Sequence, residues 1–182
     1  MKSVLISIQP KWCELIASGK KTVEVRKTKP KLETPFKVYI YCTSSNVHEC
    51  LMQNESGVKF IRACNYKTAI PIGGQIANGK VIGEFVCDAI FPISCYYSDV
   101  NARGIHREQP YTCLTDKEMI DYLGNGVEGY GWHISDLVIY DEPKRINEFV
   151  SESILNTNCF ELHLKRLDRP PQSWCYVEEV EQ

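Results

Sequence analysis

The chain has 182 residues, enough for one good core at roughly 100–200 residues per domain, and its net charge of −2 excludes a protein that coats nucleic acid by bulk positive charge. With 43% hydrophobic and 24% charged residues it is not a disordered chain, and no stretch of about 18 apolar residues is present to span a membrane. Positive charge gathers at the N-terminal end: residues 1–40 carry nine Lys/Arg against three Asp/Glu, residues 41–140 seven against eleven, and residues 141–182 five against nine. A local basic site is therefore still open.

The first apolar run, residues 3–8, is short and β-branched and predicts a strand; it stops at Gln9-Pro10-Lys11, too early for an export signal. Pro10 suits the first turn of a helix through Trp12, Leu15 and Ile16, with Gly19 at its C-terminal stop and Trp12 expected in the core. Residues 22–27 alternate, Val23 and Val25 against Thr22, Glu24 and Arg26, as a half-buried strand does. Residues 36–42 form another strand. Residues 43–79 are less regular and predict a long excursion ending in the Asn78-Gly79 turn, after which residues 80–90 are the clearest strand in the chain. Residues 94–113 predict a second loop-rich stretch. Thr115 followed three residues later by Glu118 is a capping box opening a short helix to about Tyr122, which Gly124-Asn125-Gly126 ends. Residues 132–140 return to strand pattern until Asp141-Glu142-Pro143, and residues 159–164 read as strand or helix. The whole predicts an α+β fold around a curved or closed sheet.

Nine cysteines, an odd number with no C-x-x-C pair, read as reduced thiols in a cytoplasmic protein. Cys42, His48, Cys50 and Cys64 supply a Cys₃His set of zinc-ligand types, but their spacing is irregular and lacks a C-x-x-C knuckle, so no metal is assigned. No nucleotide-binding fingerprint or nucleophile elbow appears, and no cofactor is implied.

The densest constellation is Ser7-Ile8-Gln9-Pro10-Lys11-Trp12 followed by residues 19–26, Gly-Lys-Lys-Thr-Val-Glu-Val-Arg. Glu24 and Arg26 lie two residues apart, about 7 Å along one strand face, and Lys21 folds over from the turn. A carboxylate between two cations can take an amino donor of a base edge while the cations donate to its acceptors. The same pattern also suits a solvated, salt-bridged strand face. Arg169-Pro170-Pro171-Gln172-Ser173-Trp174 joins a rigid segment to an amide, a hydroxyl and an indole. Trp174 can stack a base while Gln172 or Ser173 reads its edge, or Trp174 can close the bottom of a barrel and Gln172 cap a turn. Trp132-His133 poses the same choice, His133 being either an acid or base near neutral pH or a structural hydrogen-bonder.

Gly19-x-Lys21-x-x-Glu24-x-Arg26, preceded by Ser7-Ile8-x-Pro10-x-Trp12, resembles the signature of the ASCH domain, a member of the PUA-like superfamily. A weaker resemblance runs through Val81-Ile82-Gly83-Glu84-Phe85, Gly131-Trp132-His133 and residues 169–174. The resemblance implies a small PUA-like β-barrel with peripheral short helices, and a cleft beside the first helix that binds RNA or modified nucleosides and is lined by Lys21, Glu24 and Arg26. It implies one ASCH/PUA-like domain over residues 1–182, in which residues 43–79 and 94–113 are insertions able to carry a protein partner.

Some small members of the family are amidohydrolases of N4-acylated cytidine that use a Thr, a Lys and a Glu. Lys21 matches their lysine, but their threonine falls at Glu24, and a carboxylate does not replace a hydroxyl nucleophile. Their acid would correspond to Glu118. The expected function is therefore RNA or nucleoside binding through Lys21, Glu24, Arg26, Trp132, His133, Gln172, Ser173 and Trp174. Amidohydrolysis with Lys21 and Glu24 as catalytic residues is the alternative, and a protein-interaction module is a further one.

Overall fold

The computed structural model describes residues 2–44, 49–54, 57–62, 75–95, 109–154 and 162–179. Strand β1 (Ser3–Ile8) leads into helix α1 (Pro10–Ala17), which starts with proline at its first position and has no side-chain cap. Gly19 then turns the chain with φ of +71° into β2 (Val23–Arg26), and β3 (Phe36–Cys42) follows. β1 and β3 pair in parallel, which requires the crossover that α1 and β2 supply.

A seven-stranded sheet is built in the order β10-β7-β3-β1-β13-β11-β12, where β7 is Lys80–Cys87, β10 Ser135–Lys144, β11 Phe149–Ile154, β12 Leu162–Arg166 and β13 Trp174–Glu179. Its two faces are both covered, because alternate residues of one strand enter different clusters. Val4, Ile6, Val38 and Ile40 pack on the side of α1 and Trp132, whereas Leu5, Tyr39, Tyr41 and Phe149 pack on the other. A smaller sheet, β2-β9-β8, uses β8 (Ile90–Ile93) and β9 (Gly129–His133). Its outer face packs Val23 and Val25 against Met119, Ile120 and Leu123 of helix α3 (Asp116–Leu123), which follows the four-residue α2 (Gln109–Thr112). The capping box at Thr115 and Glu118 is present as expected.

Three expectations need correction. The elements make the expected α+β arrangement, but among the described residues the sheets are open and none is shown to close on itself as a barrel. Residues 43–79 are not simply irregular: β4 (Glu49–Asn54), β5 (Gly57–Arg62) and β6 (Gln75–Ile76) form an antiparallel sheet against which α1 packs, with Leu51 and Ala77 fully buried. The runs at 80–90 and 132–140 are each two strands. The chain leaves one sheet at Asp88 and at Ile134 and enters the other, and hydrophobic alternation carries no mark of such a switch. His133 sits at this junction: its backbone N–H donates to Ala89 O at 2.9 Å and its Nδ1 lies 2.6 Å from Asp88 Oδ1. That bond from His133 holds the Asp88 carboxyl below its ordinary range.

Gly83, where β7 meets the irregular stretch of β10, has no room for a side chain, because an added methyl would collide with the Val138 carbonyl. Among the described residues Cys13, Cys42, Cys87, Cys95, Cys113 and Cys175 are thiols, in keeping with the reduced reading. Burial pushes the Cys87 thiol up to about 12 and Cys175 to about 11, so both are poor nucleophiles. No helix among the described residues is long and apolar enough to cross a membrane, and no group of potential metal ligands occurs among them; His48 and Cys64 lie outside the described residues.

Candidate functional site

The strand β2 is buried on both faces. Val23 and Val25 point to α3, so Glu24 and Arg26 must point the other way, into a cavity of about 980 Å³ between β1, α1, α3 and the segment before β13. Lys21, Glu24 and Arg26 are 1%, 6% and 6% exposed. The reading of a solvated strand face is therefore excluded.

Lys21 Nζ donates to Thr112 O at 2.7 Å and Val23 O at 2.8 Å, and lies 3.2 Å from Glu24 Oε2. All three ammonium hydrogens are thus engaged. Arg26 Nη2 donates to Glu24 Oε1 at 2.9 Å and to Ser7 O at 2.7 Å, while Nη1 makes a long 3.5 Å contact with Ser173 Oγ. The Arg26 Nε–H is buried and has no acceptor among the described residues. Glu24 is clamped by one cation on each oxygen, a geometry that strengthens both bonds in a sheltered site.

The β1 end is tied in by Ser7, whose N–H donates to Ser173 O at 2.9 Å and whose Oγ donates to Pro171 O at 2.6 Å. This places Gln172 and Ser173 in the cavity wall with the three charged residues. Trp132, His133 and Trp174 are not in that wall. Trp132 is directly opposite Glu24 in the β2–β9 register and is fully buried, packed edge-on to Phe36 at 6.0 Å. Trp174 leans on Trp132 and Tyr176, and its Nε1–H donates to Thr28 Oγ1 at 3.0 Å. His133 is engaged with Asp88.

The aromatic faces in the wall are instead Trp12 and Tyr122. Trp12 was expected in the core; α1 has only eight residues and buries Cys13 and Ile16, which leaves Trp12 on the flank between core and cavity. The Lys11 and Lys21 ammonium groups lie 4.2 and 5.4 Å from its ring centre. Its place within the Ser7–Trp12 run was the available signal.

Glu118 also lines the cavity, and its Oε1 accepts from Lys11 Nζ at 2.9 Å, joining α3 to α1. The Thr115 N–H, together with Lys11, holds the Glu118 carboxyl below its ordinary value of 4.5. A depressed folded value means that the stabilisation is complete above 4.5 and is lost as pH falls through the lower folded value. We expect Glu118→Gln to unfold at lower urea than the parent at neutral pH, with the gap shrinking below pH 4.5. A gap that is constant down to the acid limit would contradict this assignment.

The ASCH domain family model matches residues 6–152. No curated protein matches the chain. The crystal structure of ASCH from Zymomonas mobilis is similar at 19% identity, covering 97% of this chain and 87% of that one with a TM-score of 0.51. A single-residue variant of that protein, ZmASCH, is similar at 18% identity, 98% and 91% coverage, and a TM-score of 0.52. At these identities the likeness concerns the fold. With the family match spanning most of its length, and the Lys21, Glu24 and Arg26 signature gathered in one cavity, this chain belongs to the ASCH domain family.

Proposed function

We propose that this protein binds RNA or a modified nucleoside by reading one base in the cavity. The observation that carries the reading is that the Glu24 carboxylate and the Arg26 guanidinium, 2.9 Å apart, line one sheltered cavity, an acceptor and a donor group at the same wall. A base edge offers the complementary pair, an exocyclic amine next to a ring nitrogen or carbonyl. Charge supports a base over a backbone: the wall carries Lys21, Arg26 and Lys27 against Glu24, Glu118 and Asp121, so the cavity itself is nearly neutral. Trp12 or Tyr122 supplies a face for stacking, Gln172 and Ser173 supply further hydrogen-bonding groups, and Lys21 acts by holding Glu24.

Titration of short labelled RNAs and of cytidine tests this. Single strands are expected to bind better than duplex, and Arg26→Ala to weaken binding about 10- to 100-fold, in line with ~1–3 kcal/mol for a paired base contact. Glu24→Gln, which keeps the shape but alters the donor and acceptor pattern, is expected to change base preference. Preference for duplex, or indifference to Arg26→Ala in a folded variant, would sink the reading.

A hydrolytic reading has one observation in its favour, namely that Lys21 and Glu118 line the same cavity. Against it stand Glu24 at the nucleophile position and the fully engaged Lys21 ammonium. N4-acetylcytidine is therefore expected to be hydrolysed feebly or not at all, by chromatographic assay of cytidine release. Turnover at ordinary enzyme rates that is lost in a folded Lys21 variant would reverse this ranking, and gain of turnover in Glu24→Thr would mark an amidase framework lacking its nucleophile. Interaction with a protein through the inserted segments is the remaining reading; residues 45–48, 55–56, 63–74 and 96–108 lie outside the described residues.

A further inference from the structure

We infer that residues 27–31, Lys-Thr-Lys-Pro-Lys, are a phosphate-binding strap that holds the backbone on either side of the base in the cavity, so that the natural ligand is a nucleotide within a single strand and not a free nucleoside. The inference rests on the base-reading function above and selects between its two ligand classes. The strap begins in the cavity wall, where Lys27 and Thr28 stand beside Arg26. From there it crosses a row of aromatic side chains. The Lys27 ammonium lies 5.4 Å from the Tyr122 ring centre and that of Lys29 5.3 Å from Tyr130. The Lys31 backbone N–H donates to Tyr176 Oη at 2.8 Å.

Three anchors set its course. Trp174 Nε1–H holds Thr28, Tyr176 holds Lys31, and Pro30 between them is buried while both neighbours are exposed. The three lysines are exposed, and none of them has an ion-pair partner among the described residues. An ammonium over a tyrosine face is ordered without being neutralised, since the ring offers a quadrupole and not a counter-charge. Part of the ordering cost of a flexible lysine is thereby met before a ligand arrives.

The contrast with the cavity identifies the partner. Inside, positive and negative side chains alternate and suit a base edge; along the strap, Lys27, Lys29 and Lys31 present like charge with no carboxylate among them and suit successive phosphates. The strap is also the densest part of the N-terminal basic excess that the overall negative charge conceals.

The test compares two probes, cytidine by calorimetry and a labelled single-stranded RNA nonamer by anisotropy, across a salt series. The parent protein is expected to bind the nonamer at least about 100-fold tighter than cytidine at low salt. Each neutralised phosphate on a single strand contributes about −0.7 to the slope of log K against log salt, so three give roughly −2. Lys29→Ala/Lys31→Ala is expected to cut the slope by about 1.4 and leave cytidine affinity unchanged, while Lys29→Arg/Lys31→Arg preserves the slope. An unchanged slope in the alanine variant, equal loss for both probes, or no advantage of nonamer over cytidine in the parent would overturn the strap. Nonamer binding that depends on the two lysines but is indifferent to Arg26→Ala would uphold the strap and bring down the base-reading cavity instead.

Discussion

Lys21→Met is expected to lower the unfolding free energy by about 3–5 kcal/mol, the range found when one partner of a buried ion pair is removed. The side chain is 1% exposed, so water cannot take over its role. Three acceptors lose their donor at once: the Thr112 and Val23 carbonyls and one oxygen of Glu24. Methionine fills the volume but donates nothing, and each stranded buried acceptor costs its own desolvation. The Thr112 bond also ties α2 to the edge of β2, a link otherwise made by the Thr22 N–H to Tyr111 O at 2.9 Å. In a chain of this length the loss corresponds to a fall in Tm of roughly 10 °C. Urea denaturation at neutral pH measures it, and adding Glu24→Gln to Lys21→Met is expected to cost less than Glu24→Gln alone, because the two groups are coupled. A loss below about 1 kcal/mol with unchanged m would mean that Lys21 is not the strut described here.

Trp132→Ala is expected to cost a similar ~3–5 kcal/mol, for a different reason. Trp132 is the largest fully buried side chain among the described residues and stands where the three-stranded β2-β9-β8 sheet meets the seven-stranded sheet, between Phe36 and Trp174. Its removal opens a void that a sheet held on both sides cannot close, and it also deletes two aromatic contacts. Trp132→Phe is expected to cost less than about 1.5 kcal/mol, because part of the ring volume remains and the indole N–H it deletes is buried without a partner among the described residues. Similar losses in the two variants would show that the indole N–H, and not the volume, holds this junction.

Much of the local structure was determined by short-range sequence. Residues 3–8 and 36–42 are strands because apolar, β-branched and aromatic residues run together and stop at Pro and polar punctuation. Helix α1 follows from Pro10 and Gly19, α3 from the Thr115 and Glu118 box, and the turn before β7 from Asn78-Gly79, where Gly79 has a φ of +77°. The family signature also named Lys21, Glu24 and Arg26 as a group. Strands β11 and β13 were not legible: Phe149–Ile154 and Trp174–Glu179 alternate weakly and carry acidic residues, and they become strands through pairing with partners distant in the chain.

What tertiary structure alone decided is which tryptophans face the cavity and whether the charged triad is buried. Alternation assigns Glu24 and Arg26 to the face opposite Val23 and Val25, but cannot say whether that face meets water. It meets β1 and the 171–173 segment, because Ser7 and Arg26 bond across to them from residues more than a hundred positions apart or on different strands. Trp132 went to the core, Trp174 to its half-buried edge and Trp12 to the cavity wall for the same reason. An indole near a binding motif looks alike in either place, and only the packing of one sheet on the other selects which of its faces remains open.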